Sequence, residues 1–305
     1  MGFRLANVDG RAALVVGDDY YDLEKASGGK LGSDPMAAIA ASDQLSAIAA
    51  GLAGQTPTGK LADANLDAPS PRPANSFGIG LNYRNHAEEG GLPIPEAPLV
   101  FAKFPSCIAA PDADVQIRSD YVDYEAELVA IIGKTAKDVS VADAWDHVAG
   151  LCVGQDISDR PAQFTSAPPQ FNLGKSFDTY GPIGPVLVSP DELPNRNGML
   201  LTCEINGEVR QKDDTGDLIF DVPTLVSYLS GILTLLPGDV IFTGTPGGVG
   251  LFQNKLLKDG DVIKTTIEGL GTITNKVVRA SDHGRADILP PQMKAILAGE
   301  KPPRP

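Results

Sequence analysis

The chain has 305 residues, 42% of them hydrophobic, and carries 33 glycines and 25 prolines. A chain of this length can bury a large core without disulfide or metal staples, and its apolar content excludes a disordered protein. The formal net charge of -14 excludes a nucleic-acid-binding face, which is built from clustered Lys and Arg.

Along the chain, residues 3–23 read as short strands joined by the turns Val8-Asp9-Gly10-Arg11 and Val16-Gly17-Asp18-Asp19. Ala, Ile and Leu at helical spacing predict a helix from Asp34 to Leu52, with Gly54 as its stop signal. Residues 56–73, with Pro57, Pro69, Pro71 and Pro73 among polar neighbours, read as an extended linker that ends a small N-terminal domain (1–73). Residues 74–282 follow as the main domain. Strands are expected at Ser76–Gly80, Leu99–Ala102, Tyr124–Ile132, Gly150–Asp156, Pro185–Val188, Leu200–Ile205, Val240–Thr243 and Val262–Ile267. Helices are few, the better candidates starting at Val141–Trp145 and Val222–Leu233. The expected fold class is therefore mainly β with peripheral helices (α+β). Residues 283–305 form a tail with one short helix and a Pro-rich end.

Cys107, Cys152 and Cys203 are widely spaced and odd in number, which suits reduced thiols. The N-terminus lacks the continuous apolar core of a secretory signal, its Met-Gly start lacks the Ser or Thr of a myristoylation motif, and no apolar run approaches the roughly 20 residues that span a bilayer. A cytoplasmic protein without membrane attachment is expected.

The chemistry starts with Val122-Asp123-Tyr124-Glu125-Ala126-Glu127-Leu128, where a strand begins in acids and continues apolar. Side chains two apart share a strand face, so Glu125 and Glu127 point the same way and repel unless a positive charge sits between them. A hard divalent cation, Mg²⁺ or Mn²⁺ and also Ca²⁺, supplies that charge. The alternative is a solvated strand face. A second apolar strand, Gly150–Gly154, runs into Asp156, and an acid at the end of a buried strand needs a partner.

His86 lies in the polar stretch 80–91, with Glu89 three residues on. In a helical turn the two side chains meet, and the carboxylate can orient the imidazole as a general base; a surface histidine is the other reading. His147 and His283 look structural or exposed. Lys175, in a Gly-bounded stretch, can offset anionic charge or simply be solvated. The turn 243–250 offers Gly244 and neighbouring backbone N–H groups to an anion but lacks the Gly-Lys-Ser/Thr ending of a nucleotide loop.

Taken together, GLNYRNHAEE, DYEAELVAIIGK, GQDISDRPAQF, GKSFDTYGPIGP, EINGEVRQ and IFTGTPGGVG, in that order from Gly80 to Gly250, resemble the fumarylacetoacetate hydrolase family. The resemblance implies a mixed β-roll core, an intracellular homodimer, Mg²⁺ or Mn²⁺ on Glu125, Glu127 and Asp156, and His86 with Glu89 activating water. It further implies that Lys175 stabilises developing negative charge and that Arg160, Gln163, Thr245, Tyr83 and Arg84 contact substrate. Ile79 stands where longer members carry a further metal-binding aspartate, so the chain is similar to the shorter three-carboxylate branch, the acylpyruvate hydrolases and 2-hydroxyhepta-2,4-diene-1,7-dioate isomerases. Gln155, Asp159 and Pro161 depart from the family's common third motif. The implied activity is hydrolysis of a C–C bond in a small 2-oxo or 1,3-dioxo acid; isomerisation, decarboxylation and a non-catalytic ligand-binding role remain alternatives.

Overall fold

In a computed structural model of the protein, residues 2–166 and 168–281, with 295 and 299 besides, are described. The tail expected at 283–305, and His283 within it, lies outside the described residues apart from those two positions. The first three strands form at Arg4–Val8, Arg11–Val16 and Asp19–Asp22, joined by the turns read from the sequence. Asp9 (φ 50°) and Gly10 (φ 77°) take the left-handed backbone of the first turn, as a two-residue hairpin loop requires.

This meander does not stand apart. Arg4–Val8 pairs antiparallel with Gly181–Val188, Leu5 opposite Leu187, so one sheet runs through both sides of the boundary drawn at residue 73. Its main path is Gly59–Lys60, Asp19–Asp22, Arg11–Val16, Arg4–Val8, Gly181–Val188, Val148–Gln155, Ala126–Ile132, Val240–Phe242, Ser76–Gly80 and Leu99–Ala102. The stretch read as a linker contributes Gly59–Lys60 and also Leu66–Asp67, which pairs with Arg4–Val8. Two-residue strands are too short for sequence periodicity to reveal; residues 68–75 run without a strand or helix.

The central strands are buried on both faces, which is why they read as unbroken apolar runs rather than alternating ones. In Ala126–Ile132 the even positions Leu128, Ala130 and Ile132 pack, with Leu151 and Val153, against Leu201, Cys203, Ile263 and Ile273 of a second sheet. That sheet orders Glu208–Asp214, Leu200–Ile205, Val262–Ile267, Gly271–Arg279 and Val115–Ile117. Val129 and Ile131, on the opposite face, pack with Ile39, Leu45 and Leu52. The expected 34–52 helix is in fact two, Pro35–Ala40 and Ser42–Ala50, broken at Ala41 (φ -103°, ψ 22°). Asp34 caps the first by accepting from Met36 N. Each of these aliphatic side chains stabilises the fold by roughly 1.5–3 kcal/mol. The fold is β-rich with helices at the periphery, as composition and turn spacing predict. The helical layer covers one sheet face at Val129 and Ile131 and ends short of Glu127.

Candidate metal centre

Where that cover stops, the same sheet face turns acidic. Ala126 is opposite Gln155 and Glu127 opposite Gly154, and Asp156 N donates to Glu125 O at 2.8 Å. This antiparallel register puts Asp156 across from Glu125, on the side that Glu125 shares with Glu127. A ligand oxygen from each of the three carboxylates lies within 4.8 Å of the others. All three are buried: Glu125 is 7% exposed, Glu127 1% and Asp156 0%.

Cations surround two of the three. Lys175 Nζ lies 2.7 Å from Glu125 Oε2 and 2.7 Å from Asp156 Oδ2. Lys103 Nζ reaches Asp156 Oδ1 at 2.6 Å and also donates to the carbonyls of Lys175 and Tyr180. Arg160 lies 2.7 Å from Glu125 Oε1 and 2.6 Å from Asp123 Oδ2, and donates to Gln163 Oε1 at 2.8 Å. Burial pushes the Glu125 carboxyl up, but Lys175, Arg160 and lastly His86 outweigh it and hold it down to about 2. Burial pulls the Lys175 ammonium down, yet Asp156 and Glu125 raise it above its ordinary value.

Glu127 differs. Its Oε2 accepts from Gly244 N at 2.7 Å, and among the described residues it has no ion-pair partner. Burial first, then the like charges of Asp156 and Glu125, push its carboxyl well above the usual range. Four buried carboxyl groups (Asp123, Glu125, Glu127, Asp156) thus face three cations (Lys103, Arg160, Lys175), and Glu127 is the one left without a paired cation among the described residues. A hard divalent cation held by Glu125, Glu127 and Asp156 fits this donor set, which is all carboxylate oxygen, and would relieve the repulsion at Glu127. The centre would then carry one net positive charge, which a substrate carboxylate balances.

His86 sits in the helix Arg84–Glu89. Its Nδ1 is 3.7 Å from Glu89 Oε2, too long for a hydrogen bond but close enough for charge coupling. Burial pushes the Glu89 carboxyl up, but His86 and the Gly248 N–H, at 2.9 Å, hold it below its ordinary value. With Nδ1 turned to Glu89, Nε2 is the nitrogen left for proton transfer.

The glycine-rich turn does not offer its N–H groups to an outside anion, as its sequence suggests. Gly244 donates to Glu127, Gly247 to Asn85, Gly248 to Glu89, and Gly250 and Leu251 to Asp123. It is an anion-binding concavity for the site's own acids. Gly244 (φ 102°) has no room for a side chain, since a Cβ there would lie 2.7 Å from Asn82 Cβ.

The other expected substrate contacts divide. Thr245 is buried, donating to Ala126 O and accepting from Gln211, and Gln163 is buried beneath Arg160. Tyr83 is fully buried with no hydrogen-bond partner for its hydroxyl among the described residues, and burial, with the charge of Glu127, pushes that hydroxyl well above its usual range. The Arg84 side chain is about half exposed and turns away, donating to the Asp217 and Leu218 carbonyls. Lys103 and Asp123 are members of the buried charge cluster that sequence reasoning passed over. Asp123 continues the every-second-residue acid pattern of Glu125 and Glu127, a usable signal; Lys103 has none, its acid partner being 53 residues away.

A family model described as fumarylacetoacetate (FAA) hydrolase C-terminal matches residues 75–278. The chain belongs to the fumarylacetoacetate hydrolase family. It is 40% identical over 238 residues, 77% of this chain and 76% of the other, to human oxaloacetate tautomerase FAHD2A, a protein named as mitochondrial. Among solved structures, maleylpyruvate hydrolase from Sphingobium sp. SYK-6, in complex with manganese(II) and pyruvate, shares 30% identity and superposes with a TM-score of 0.76 over 91% of this chain and all of that one. The 2-hydroxyhepta-2,4-diene-1,7-dioate isomerase from Mycobacterium marinum shares 31% identity, with a TM-score of 0.71 over 92% of this chain and all of that one. A hydrolase and an isomerase thus share this fold, a tautomerase is related by sequence, and this chain is an enzyme of the family.

Proposed function

We propose that the protein is a divalent-cation-dependent enzyme acting on a small 2-oxo acid, and that its chemical step is a proton transfer at His86 that interconverts keto and enol forms of an oxaloacetate-like diacid. The observation that carries the reading is the uncompensated buried carboxylate of Glu127 beside two neutralised ones, with the His86–Glu89 pair held on the same glycine turn by Gly248. When bound, Mg²⁺ or Mn²⁺ polarises the 2-oxo group and makes the neighbouring C–H more acidic. Glu125, Glu127 and Asp156 hold it. Lys175 places a positive charge beside the acids, Arg160 fixes Glu125 from behind, and His86, backed by Glu89, takes the proton from the carbon next to the 2-oxo group and gives it to the enolate oxygen, the reverse transfer restoring the keto form. The mammalian relative named as an oxaloacetate tautomerase supports this order of readings.

Hydrolysis of an acylpyruvate is the second reading, favoured by the neighbour named as a maleylpyruvate hydrolase and bound to manganese and pyruvate. In that case His86 deprotonates a water that attacks the distal carbonyl. Purified protein treated with EDTA and assayed on oxaloacetate and on an acylpyruvate, with and without added Mg²⁺ or Mn²⁺, separates the two. Metal-dependent decay of enol absorbance without pyruvate release supports the tautomerase; pyruvate release from the diketo acid transfers the assignment to the hydrolase. Carbon dioxide release would make it a decarboxylase, and no turnover of either substrate refutes the enzyme readings.

A further inference from the structure

A cavity of about 370 Å³ lies on the other side of the sheet from the acids. Its floor is Leu128, whose side chain alternates with that of Glu127 to the opposite face. The walls include Trp145, Arg196, Asn197, Thr215 and Thr224. A volume of this size is within the range that takes a small organic molecule.

The wall chemistry selects an anion. The Arg196 guanidinium carbon lies over the Trp145 ring, 4.5 Å from its centroid, and the group makes no hydrogen bond among the described residues. Its one ion-pair neighbour, Asp191 Oδ1, is 3.9 Å away on a side chain 75% exposed, a contact of little energetic consequence. The acid in the cavity wall, Asp221, is engaged in capping the helix Val222–Ser230 through Thr224 N. A guanidinium held over an indole, with its donors free of hydrogen bonds among the described residues and Leu128, Leu218 and Val222 beside it, can receive a carboxylate attached to a small apolar body.

The same cavity wall holds the segment that carries His86. Leu218 and Ile219 line the cavity. On their far side Leu218 bridges Tyr83, Ile219 N donates to Asn82 O, Phe220 N donates to Asn82 Oδ1, and Arg84 donates to the Asp217 and Leu218 carbonyls. Residues 217–220 therefore lie between the cavity and residues 82–85, which lead directly into the His86 turn.

We propose that this cavity is a second, regulatory binding site for a small amphipathic organic carboxylate, and that its occupancy stabilises residues 82–89 through the 217–220 segment. The site is independent of the reaction proposed above, and so is its test. Trp145 is the single tryptophan of the chain, so its fluorescence reports the cavity directly. The probe is phenylacetate. Titration into the full-length protein should give a saturable change in Trp145 emission, at least ten-fold weaker in Arg196→Met and in Thr224→Asp and unchanged in Glu127→Gln. Two wall variants are used so that a folding defect in one leaves the other decisive. At saturation, amide hydrogen exchange in residues 82–89 should slow several-fold. Absence of a saturable change, equal affinity in both wall variants, loss of binding in Glu127→Gln (which would place phenylacetate among the acids), or binding without altered exchange in 82–89 would each overturn the proposal.

Discussion

Glu127 and His86 separate two tasks that neighbouring side chains often share. Glu127 has no cation paired with it among the described residues, and on the proposed reading His86 is the base, with the Glu89 carboxylate 3.7 Å from its Nδ1. His86→Ala should therefore lower kcat by about 10²–10⁴-fold, the usual contribution of a positioned acid–base group, while leaving metal affinity within a factor of two. Steady-state kinetics beside a metal titration checks this, and a parallel loss of both would show that His86 is a ligand. The three cysteines support a separate expectation. All are buried and unpaired, so Ellman's reagent should find no accessible thiol in the native protein and three after denaturation. Burial pushes the Cys203 thiol from its ordinary 9.0 to about 12. Its folded pKa lies above the unfolded one, so the folded state is favoured in full below pH 9 and loses stability as pH rises from 9 toward 12. Cys203→Ala should lessen, without abolishing, the fall of denaturation midpoints across that alkaline window, since burial also raises the thiols of Cys107 and Cys152.

At the scale of elements, the glycine turn after Val240–Phe242 organises the site. Gly248, at φ 101°, would bring a Cβ to 2.2 Å from the Arg210 carbonyl oxygen, while its N–H holds Glu89. Gly248→Ala should destabilise the protein by about 1–3 kcal/mol and reduce kcat as well, read as a lower melting temperature and slower turnover in one preparation. An unchanged kcat would separate the turn from catalysis. This turn also shows where sequence reading stops. Its glycines were visible, and so was a concavity for anions, but whether the anion is a substrate or the protein's own Glu89, Glu127 and Asp123 depends on contacts up to 159 residues apart. The acid triad was legible because strand alternation fixes the face of Glu125 and Glu127, and because an apolar strand ending in Asp156 is rare without a partner. Lys103 was not, since nothing near it in sequence records the carboxylate it meets.

For the molecule as a whole, the strand order carries one sheet across the boundary drawn at residue 73. Arg4–Val8 extends the main sheet, and Ile39, Leu45 and Leu52 cover Val129 and Ile131 on the strand whose next outward residue is Glu127. A chain lacking residues 1–73 would expose that apolar face and leave Gly181–Val188 an open edge, so it should be recovered as aggregate. A monodisperse, cooperatively unfolding fragment 74–281 would show that the boundary is a true domain border. Composition and turn spacing disclosed the β-rich class because they report local preference; continuity of the sheet was hidden because pairing between residues 5 and 187 leaves no local pattern.

The central claim is that the buried acids form a divalent-cation site whose unsatisfied member is Glu127. The most direct measurement is titration of EDTA-treated protein with Mn²⁺, followed by electron paramagnetic resonance of the free ion, for the wild type and Glu127→Gln. One Mn²⁺ per chain in the wild type and an affinity at least 100-fold lower in the variant is the predicted result. Absence of stoichiometric binding, or equal binding in Glu127→Gln, would contradict it.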